Sequence, residues 1–252
     1  MLPGTVVLQS DVQPVVEAGD TIELRTLIPG TYFAEPLVHR MLIARSGTSR
    51  SRSDERHDEL LYVMSGQGEI VVGDERIPVE PTCAVQVQAG EQWQVETQED
   101  LRILSFLVPA PVTPWAASLA KPVDRIVHVA RMGAQLAQAA TGDRMFEVLF
   151  NRDRGSRGAT MFIGFIPTSG APEHYHLYDE ICVIVRGTGM LHARGVVQPL
   201  EPGSAFHVAP RFLHALENPN PEDLWVLGVF RPEGSAAAAF YPDGTPAPTN
   251  ED

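Results

Sequence analysis

The chain has 252 residues, 44% of them hydrophobic, and its 32 Asp and Glu against 19 Lys and Arg give a formal net charge of −13. This length can bury one large core or two small ones. The acidic balance and the lack of any basic run argue against nucleic acid or an anionic membrane as a partner, since clustered Lys and Arg hold both. With only two cysteines, no visible secretory signal and no apolar run long enough for a bilayer, we expect a cytoplasmic protein.

Short apolar runs separated by turn residues fill the chain. There are 21 glycines and 21 prolines, and the runs between them are rich in Val, Ile, Leu and Phe. Clear examples are Ala159 to Ile166, Glu180 to Arg186, Ala205 to Val208 and Leu224 to Phe230. Many short strands with turn signals between them predict an all-β sandwich or barrel.

The sequence repeats itself at an offset of about 121 residues. This shift places Asp58-Glu59 on Asp179-Glu180 and Gly66-Gln-Gly68 on Gly187-Thr-Gly189. After a slip of two residues, the run that starts at Leu101 meets the run that starts at Leu224. We therefore predict two copies of one unit of about 100 residues, a normal domain size.

This repeat gives a predicted domain plan. It consists of an N-terminal barrel at 1–108, a Pro-rich linker at 109–124, a C-terminal barrel at 125–232 and a poorly ordered tail at 233–252. The Ala- and Gln-rich segment Arg131 to Ala140 predicts a short helix before the second barrel.

Four side chains in the second copy suit a metal ion. His174 and His176 are two apart, so in a strand they face the same side. Glu180 opens the next apolar run, and His214 opens another one 34 residues later. Three imidazoles and a carboxylate that converge inside a barrel would bind one divalent first-row metal.

These residues resemble the motifs of the cupin family. The first motif is matched by His174-Tyr-His176, Glu180 four residues on and Gly187 seven beyond. The second is matched by Pro202-Gly203, Pro210, His214 and Asn218, although Thr168 and Arg211 stand where the family often has glycine and Pro210 comes one residue late. The resemblance implies two tandem cupin barrels (double-stranded β-helix, jelly-roll) and one divalent metal per chain, which could be Fe, Mn, Ni, Zn, Co or Cu.

The first copy lacks this ligand set. At the four corresponding places it has Ser53, Glu55, Glu59 and Trp93, and a tryptophan cannot ligate a metal. Glu55, Glu59 and nearby His57 could hold a cation, but we favour solvated charges at a barrel mouth. The first barrel is therefore expected to be a metal-free scaffold.

Tyr178, Arg211 and Arg186 are further candidates for the chemistry. Tyr178 either packs at the barrel rim or donates a hydrogen bond to a substrate oxygen. Arg211, beside His214, either grips an anionic substrate with its guanidinium fork or lies in a solvated turn, and Arg186 is a second candidate. Three more residues that could reach the metal cavity, or equally serve as ordinary strand residues, are Cys182, His192 and His207.

The resemblance implies a metal-dependent enzyme that acts on a small organic molecule such as a carboxylate or a phenol. A dioxygenase-type oxidoreductase is the first expectation, because three histidines and a glutamate are common among dioxygenase members. Two alternatives stay open: a non-redox isomerase or hydrolase, with ureidoglycine aminohydrolase as the architectural parallel, or a non-catalytic binding module. Neither nucleic acid nor a membrane is expected as a partner, and a homo-oligomer is compatible with the sequence.

Overall fold

The computed structural model describes residues 2–31, 36–110, 126–140 and 142–248. Contacts divide the chain into two compact units. The first barrel comprises Gln9–Met132 and Arg152–Gly158, and the second comprises Met1–Leu8, Gly133–Asn151 and Ala159–Asp252. Residues 1–8, predicted in the first barrel, thus belong to the second unit, and residues 152–158, predicted in the second barrel, belong to the first. Most of the predicted linker, 111–124, lies outside the described residues.

The first barrel is built from antiparallel strands in two sheets. The larger sheet has the order β1-β2-β3-β10-β5-β8-β11 and the smaller one β4-β9-β6-β7. The strands are β1 Val15–Val16, β2 Ile22–Ile28, β3 Val38–Ala44, β4 Gly47–Thr48, β5 His57–Ser65, β6 Gly68–Val72, β7 Glu75–Val79, β8 Cys83–Val87, β9 Trp93–Thr97, β10 Leu101–Pro109 and β11 Val129–Arg131. Two 3₁₀ turns, Gln9–Asp11 and Arg152–Arg154, also belong to this unit.

The second barrel has the same two-sheet plan. Its larger sheet has the order β12-β13-β14-β21-β16-β19 and its smaller one β15-β20-β17-β18. The strands are β12 Gln138–Ala139, β13 Met145–Phe150, β14 Thr160–Ile166, β15 Ala171–His174, β16 Asp179–Arg186, β17 Gly189–Ala193, β18 Val196–Leu200, β19 Ala205–Val208, β20 His214–Glu217 and β21 Leu224–Arg231. No helix in the described part of the chain is long and apolar enough to cross a membrane.

The two barrels repeat strand by strand, which confirms the predicted all-β duplication. The order β10-β5-β8 in the first barrel corresponds to β21-β16-β19 in the second, and β9-β6-β7 corresponds to β20-β17-β18. Two glycines that repeat at this offset share a backbone conformation that favours glycine: Gly66 and Gly187 have φ of 86° and 82°. A Cβ there would also meet a backbone carbonyl, at 2.3 Å from Asp100 O and 3.2 Å from Asp223 O.

Each barrel has its own apolar core. In the first, buried side chains of both sheets meet, including Leu61, Ile70, Val85, Trp93 and Ile103. In the second, the corresponding core includes Cys182, Ile184, Phe206, Leu216 and Leu224. Because successive strand residues face opposite sides, alternate residues of each strand point into the barrel, and a functional side chain at such a position also points inward.

The helix predicted from Arg131 to Ala140 is wrong. Arg131 is the last residue of β11, a turn follows in which Gly133 has a φ of 83°, and Gln138–Ala139 form β12. The Glu147 carboxylate accepts the backbone N–H groups of Gly133 at 2.7 and 2.9 Å and of Gln135 at 3.1 Å. This acceptor satisfies the backbone without a helix, and tertiary contact therefore overrides the weak preference of Ala and Gln.

The tail, for which the composition predicts little order, forms specific contacts over residues 233–248. Its Phe240 exchanges two backbone hydrogen bonds of 2.9 Å with Tyr175, and the two rings stack with centroids 5.4 Å apart. Ala237, Ala239 and Ala247 are buried. The tail thus packs beside the segment that carries the candidate metal ligands.

Candidate metal centre

Strand pairing brings three histidines together in the second barrel. His174 ends β15 and lies opposite His214, the first residue of the antiparallel neighbour β20, and His176 follows two residues after His174. All three side chains are buried, and one ring nitrogen from each lies within 4.8 Å of the others. The Nε2 atoms of His174 and His176 are 3.1 Å apart.

Each of the three rings is held by its other nitrogen. A backbone carbonyl can only accept, so every Nδ1 that contacts one carries the hydrogen and donates it, which leaves Nε2 with a lone pair. These contacts are His174 Nδ1 to Pro172 O at 2.6 Å, His176 Nδ1 to Ala238 O at 2.9 Å and His214 Nδ1 to Phe212 O at 3.1 Å. A ring held in this way is the usual arrangement of a metal-binding histidine.

Burial keeps the three imidazoles neutral. It lowers the pKa of His176 to about 3 and that of His214 to about 4, and it holds the pKa of His174 well below its usual value of 6.5. Neighbouring histidines lower the pKa of His174 and His176 further. Near neutral pH no proton therefore competes with a metal for the Nε2 lone pairs.

The spacing of the nitrogens fits a common metal ion. Two nitrogen ligands about 2.1 Å from a metal and at right angles to each other lie about 3.0 Å apart. The 3.1 Å between His174 Nε2 and His176 Nε2 is close to that value. Among the described residues, these three histidines form a group that could hold a divalent metal.

Glu180 lies beside this group but is not part of it. It is buried at the start of β16, and its Oε2 is 3.8 Å from His176 Nε2. Burial raises the pKa of this carboxyl to about 7, although a hydrogen bond with the Cys182 thiol lowers it in part. Gly228 leaves room for the carboxylate, because a Cβ there would come within 2.7 Å of Oε1.

A small cavity of about 60 Å³ adjoins the histidines and Glu180. Its walls are mostly apolar, with Phe146, Phe162, Ile166, Leu216 and Val226 among them. Cys182, which the sequence leaves either in the cavity or in the core, lines the cavity as well. Typical sites for drug-sized ligands measure about 300–1,000 Å³, so this cavity suits a metal ion and a very small molecule.

Tyr178 also lines the cavity, beside the histidines. Its ring stacks on His176 with centroids 4.6 Å apart and on Phe230 with centroids 3.9 Å apart. The side chain is buried, and its hydroxyl has no hydrogen-bond partner within the described structure. Burial raises the pKa of Tyr178 well above 10, so the hydroxyl keeps its proton and can donate it.

The structure places the two sequence-predicted arginines outside the cavity lining. Arg211 is exposed in a turn with a φ of 62°, and its backbone N–H donates to His176 O at 2.7 Å. It therefore supports the ligand loop through its backbone. Arg186 is exposed and lies over the Trp225 ring, with its guanidinium carbon 4.8 Å from the ring centroid.

Sequence reasoning missed Arg144, the arginine that does line the cavity. It immediately precedes β13 and is 9% exposed. Its positive charge helps to lower the pKa of His174, His176 and His214. Arg144 lies outside the two sequence motifs that contain the histidines and Glu180, so neither motif indicates it.

The remaining histidine candidates lie away from the cavity. His192 is partly exposed and its Nε2 is 2.7 Å from Glu217 Oε2. His207 is buried, and its Nε2 is 2.6 Å from Asp179 Oδ1. Each of these imidazoles has a carboxylate partner of its own, and neither is among the cavity-lining residues.

In the first barrel, Glu59 is not a solvated charge, and that part of the prediction is wrong. Its carboxylate is buried and forms an ion pair with the Arg40 guanidinium at 2.6 Å. It also accepts hydrogen bonds from Trp93 Nε1 at 3.2 Å and from the Ser105 hydroxyl. A guanidinium and two neutral donors thus surround the carboxylate that corresponds to Glu180. Of the other candidates there, Ser53 and Glu55 are exposed, and His57 Nδ1 lies 3.0 Å from Asp54.

Comparison with known proteins agrees with this architecture. Residues 161–230, which run from β14 to β21, match a family model described as a cupin domain. The matched residues lie within the second barrel. No curated protein sequence matches this chain significantly.

Solved structures similar to this chain share its fold at low sequence identity. A single-residue variant of oxalate decarboxylase from Bacillus subtilis gives a TM-score of 0.70 at 14% identity, over 96% of this chain and 80% of that chain. Protein Ylba from E. coli gives a TM-score of 0.71 at 12% identity, over 90% of this chain and 89% of that chain. AerE from Microcystis aeruginosa gives a TM-score of 0.66 at 14% identity, over 90% of this chain and 99% of that chain. Likeness at this identity establishes the two-barrel fold and leaves the activity to be argued from the site.

Proposed function

We propose that the second barrel binds one divalent transition metal and that the chain is a metal-dependent enzyme acting on a small organic molecule, as a dioxygenase-type oxidoreductase. His174, His176 and His214 are the proposed ligands, and Glu180 is the proposed fourth. The observation that carries the proposal is the convergence of three neutral Nε2 atoms, each on a ring fixed by a backbone carbonyl. Imidazole donors favour Fe, Ni, Cu and Zn, and the carboxylate widens the choice to Mn.

The surrounding side chains supply what a metal reaction needs from the protein. A bound metal would offer open coordination positions to dioxygen or to a substrate oxygen. The walls are mostly apolar, Glu180 would balance part of the charge of a metal, and Tyr178 offers a hydroxyl donor. The Bacillus subtilis oxalate decarboxylase, which shares the fold with a TM-score of 0.68, is described with Mn(II) centres, and this supports a metal in the present site.

Elemental analysis tests the metal part of the proposal. Purified protein should contain close to one metal per chain, and His176→Ala should contain almost none. His192→Ala is the matched control, because that imidazole lies outside the cavity and pairs with Glu217. Two metals per chain would show that the first barrel binds as well, and a protein that takes up no supplied ion would refute the proposal.

Oxygen consumption tests the reaction class. The metal-loaded protein, assayed with a panel of small carboxylic acids and phenols, should consume dioxygen with one of them, and His176→Ala should not. Turnover of a panel member under strict anaerobiosis would instead favour an isomerase or hydrolase. Tight binding without product under both conditions would leave a binding module.

A further inference from the structure

A segment near the start of the chain forms part of the second barrel. Val7 exchanges two backbone hydrogen bonds, of 2.8 and 2.9 Å, with Ala205 of β19, and the Gly4 N–H donates to His207 O at 2.8 Å. Residues 2–8, which we call the strap, thus lie along β19, at the end of the larger sheet of this barrel. The strap therefore extends the sheet that carries Glu180 on β16.

The strap is also attached to the smaller sheet, through Gln198 of β18. The Gln198 carboxamide accepts the Val6 N–H at 3.0 Å and donates to Gly4 O at 2.7 Å, as the backbone of a neighbouring strand would. The Val6 side chain packs against the apolar core of the barrel. Hydrogen bonds on both sides and an apolar contact therefore fix the strap in place.

Gly4 lies against the two residues that support His214. A Cβ at Gly4 would lie 2.6 Å from the Phe212 ring and 2.8 Å from the Ala193 Cβ, so a glycine is needed there, and its φ of 70° also favours glycine. Phe212 O accepts the His214 Nδ1–H at 3.1 Å, and Ala193 lies opposite His214 in the pairing of β17 with β20. The strap thus contacts both supports of one proposed metal ligand.

We infer that the strap positions the metal centre and that Gly4, through Phe212, fixes the His214 ring in its metal-binding orientation. This inference rests on the proposed function, because it concerns one of the proposed ligands. The acceptor at Nδ1 sets the tautomer and the orientation of a histidine ring. Loss of such a support lowers metal affinity by about 10- to 100-fold. Gly4 is thus a positioning residue that acts on the site through Phe212.

Gly4→Ala tests this role with a single methyl group. The new Cβ displaces the Phe212 ring, and we expect the affinity for Zn(II), measured by chelator competition, to fall by about 10-fold. Gly195→Ala is the matched control, because Gly195 belongs to the same barrel and has a similar φ of 72°, yet no described atom lies within 4 Å of its Cβ position. It imposes the same backbone strain and should bind Zn(II) as the wild type does.

The ring nitrogens of the metal-free protein give a readout that does not depend on the metal. In a nitrogen-15 NMR spectrum, the Nδ1–H groups of His174, His176 and His214 should each give a slowly exchanging signal, because each is buried and hydrogen-bonded. Gly4→Ala should broaden or abolish the His214 signal and keep the other two. A selective loss of this kind reports on the position of Phe212 O rather than on the stability of the barrel.

A double-mutant cycle tests whether the effect passes through Phe212. Phe212→Leu keeps the backbone carbonyl and lacks the ring atoms that the new Cβ would meet. Gly4→Ala should therefore lower Zn(II) affinity less in the Phe212→Leu background than in the wild type. Equal losses in the two backgrounds would contradict the inference.

Gln198→Ala is the second variant, for use if Gly4→Ala loses all three ring signals because the barrel unfolds. It removes two hydrogen bonds of the strap without adding an atom, and it should lower Zn(II) affinity by about 2- to 10-fold and weaken the His214 signal alone. Loss of all three signals in this variant as well would overturn the inference, and so would normal Zn(II) affinity with an unchanged His214 signal in Gly4→Ala. Failure of the proposed function looks different: the wild type then takes up no Zn(II), while the His214 signal of the metal-free variants still reports on the strap.

Discussion

Glu180→Gln should abolish most of the proton release that accompanies metal binding. Burial raises the pKa of Glu180 to about 7, so about 0.9 of these carboxyls are protonated at pH 6 and about 0.1 at pH 8. A carboxylate ligand must lose its proton. Metal binding should therefore release about 0.9 proton per chain at pH 6. His176 and His214, with pKa values of about 3 and 4, contribute about 0.01 proton or less each.

Calorimetry in two buffers with different ionisation enthalpies measures this number directly. The wild type should release about 0.9 proton at pH 6, while Glu180→Gln should release almost none from this position. Glu217→Gln, which alters an exposed carboxylate in the same barrel, is the control and should behave as the wild type does. A wild type that binds metal at pH 6 and releases less than about 0.2 proton would show that Glu180 stays protonated and outside the coordination shell.

The same substitution should stabilise the metal-free protein at high pH. The pKa of the folded-state carboxyl lies above its ordinary value of 4.5, so the stability contributed by protonated Glu180 is complete below pH 4.5 and is lost as the pH rises through 7. The difference of about 2.5 pKa units corresponds to about 3 kcal/mol. Metal-free Glu180→Gln should therefore unfold at a higher temperature than the wild type at pH 8, and the advantage should shrink at pH 4.5. A lower unfolding temperature at pH 8 would contradict this.

Two further substitutions and one deletion test the surroundings of the site. Gly228→Ala should lower the free energy of unfolding by about 1–3 kcal/mol and weaken metal binding, because the added Cβ would lie 2.2 Å from the Phe162 ring. Thermal unfolding measures the first effect and metal titration the second. Deleting the tail removes the Ala238 carbonyl that holds His176 and should reduce metal affinity by about 10- to 100-fold. Chelator competition measures the affinity, and a circular dichroism spectrum that keeps the β signal of the full chain shows that the truncated chain is folded. Trp93→His should not create a second metal site by elemental analysis, because the carboxylate beneath it remains paired with an arginine.

The sequence predicts the barrels and the histidine cluster because both follow from local, periodic signals. Gly66 and Gly187 mark turns that only glycine adopts easily, and the spacing of His174 and His176 places both on one side of an extended segment. The register between β15 and β20 then brings His214 to them. Each of these steps depends on a residue type at a fixed position, and that information is present in one sequence.

The parts that the sequence does not predict depend on contacts between distant segments. The Ala238 carbonyl that orients His176 is a backbone atom, so no residue type identifies it. Arg144 enters the cavity from outside both motifs, and nothing in its local sequence distinguishes it from an exposed arginine. The helix expected before β12 fails for the same reason, because the Glu147 carboxylate that satisfies the backbone lies beyond the segment whose composition suggested a helix.

The two copies show two ways of accommodating one buried carboxylate. Glu59 and Glu180 occupy equivalent positions at an offset of 121, and both are buried. A buried carboxylate is costly unless a positive charge accompanies it. In the first barrel Arg40 provides that charge from β3, which is separated from the strand of Glu59 by β10, and Trp93 fills the place of the third histidine. Glu180 lies 3.8 Å from the neutral His176 imidazole and hydrogen-bonds with the Cys182 thiol, and burial, together with the Asp179 charge, raises its pKa to about 7. A divalent cation held by the three histidines would supply in the second barrel the charge that a guanidinium supplies in the first.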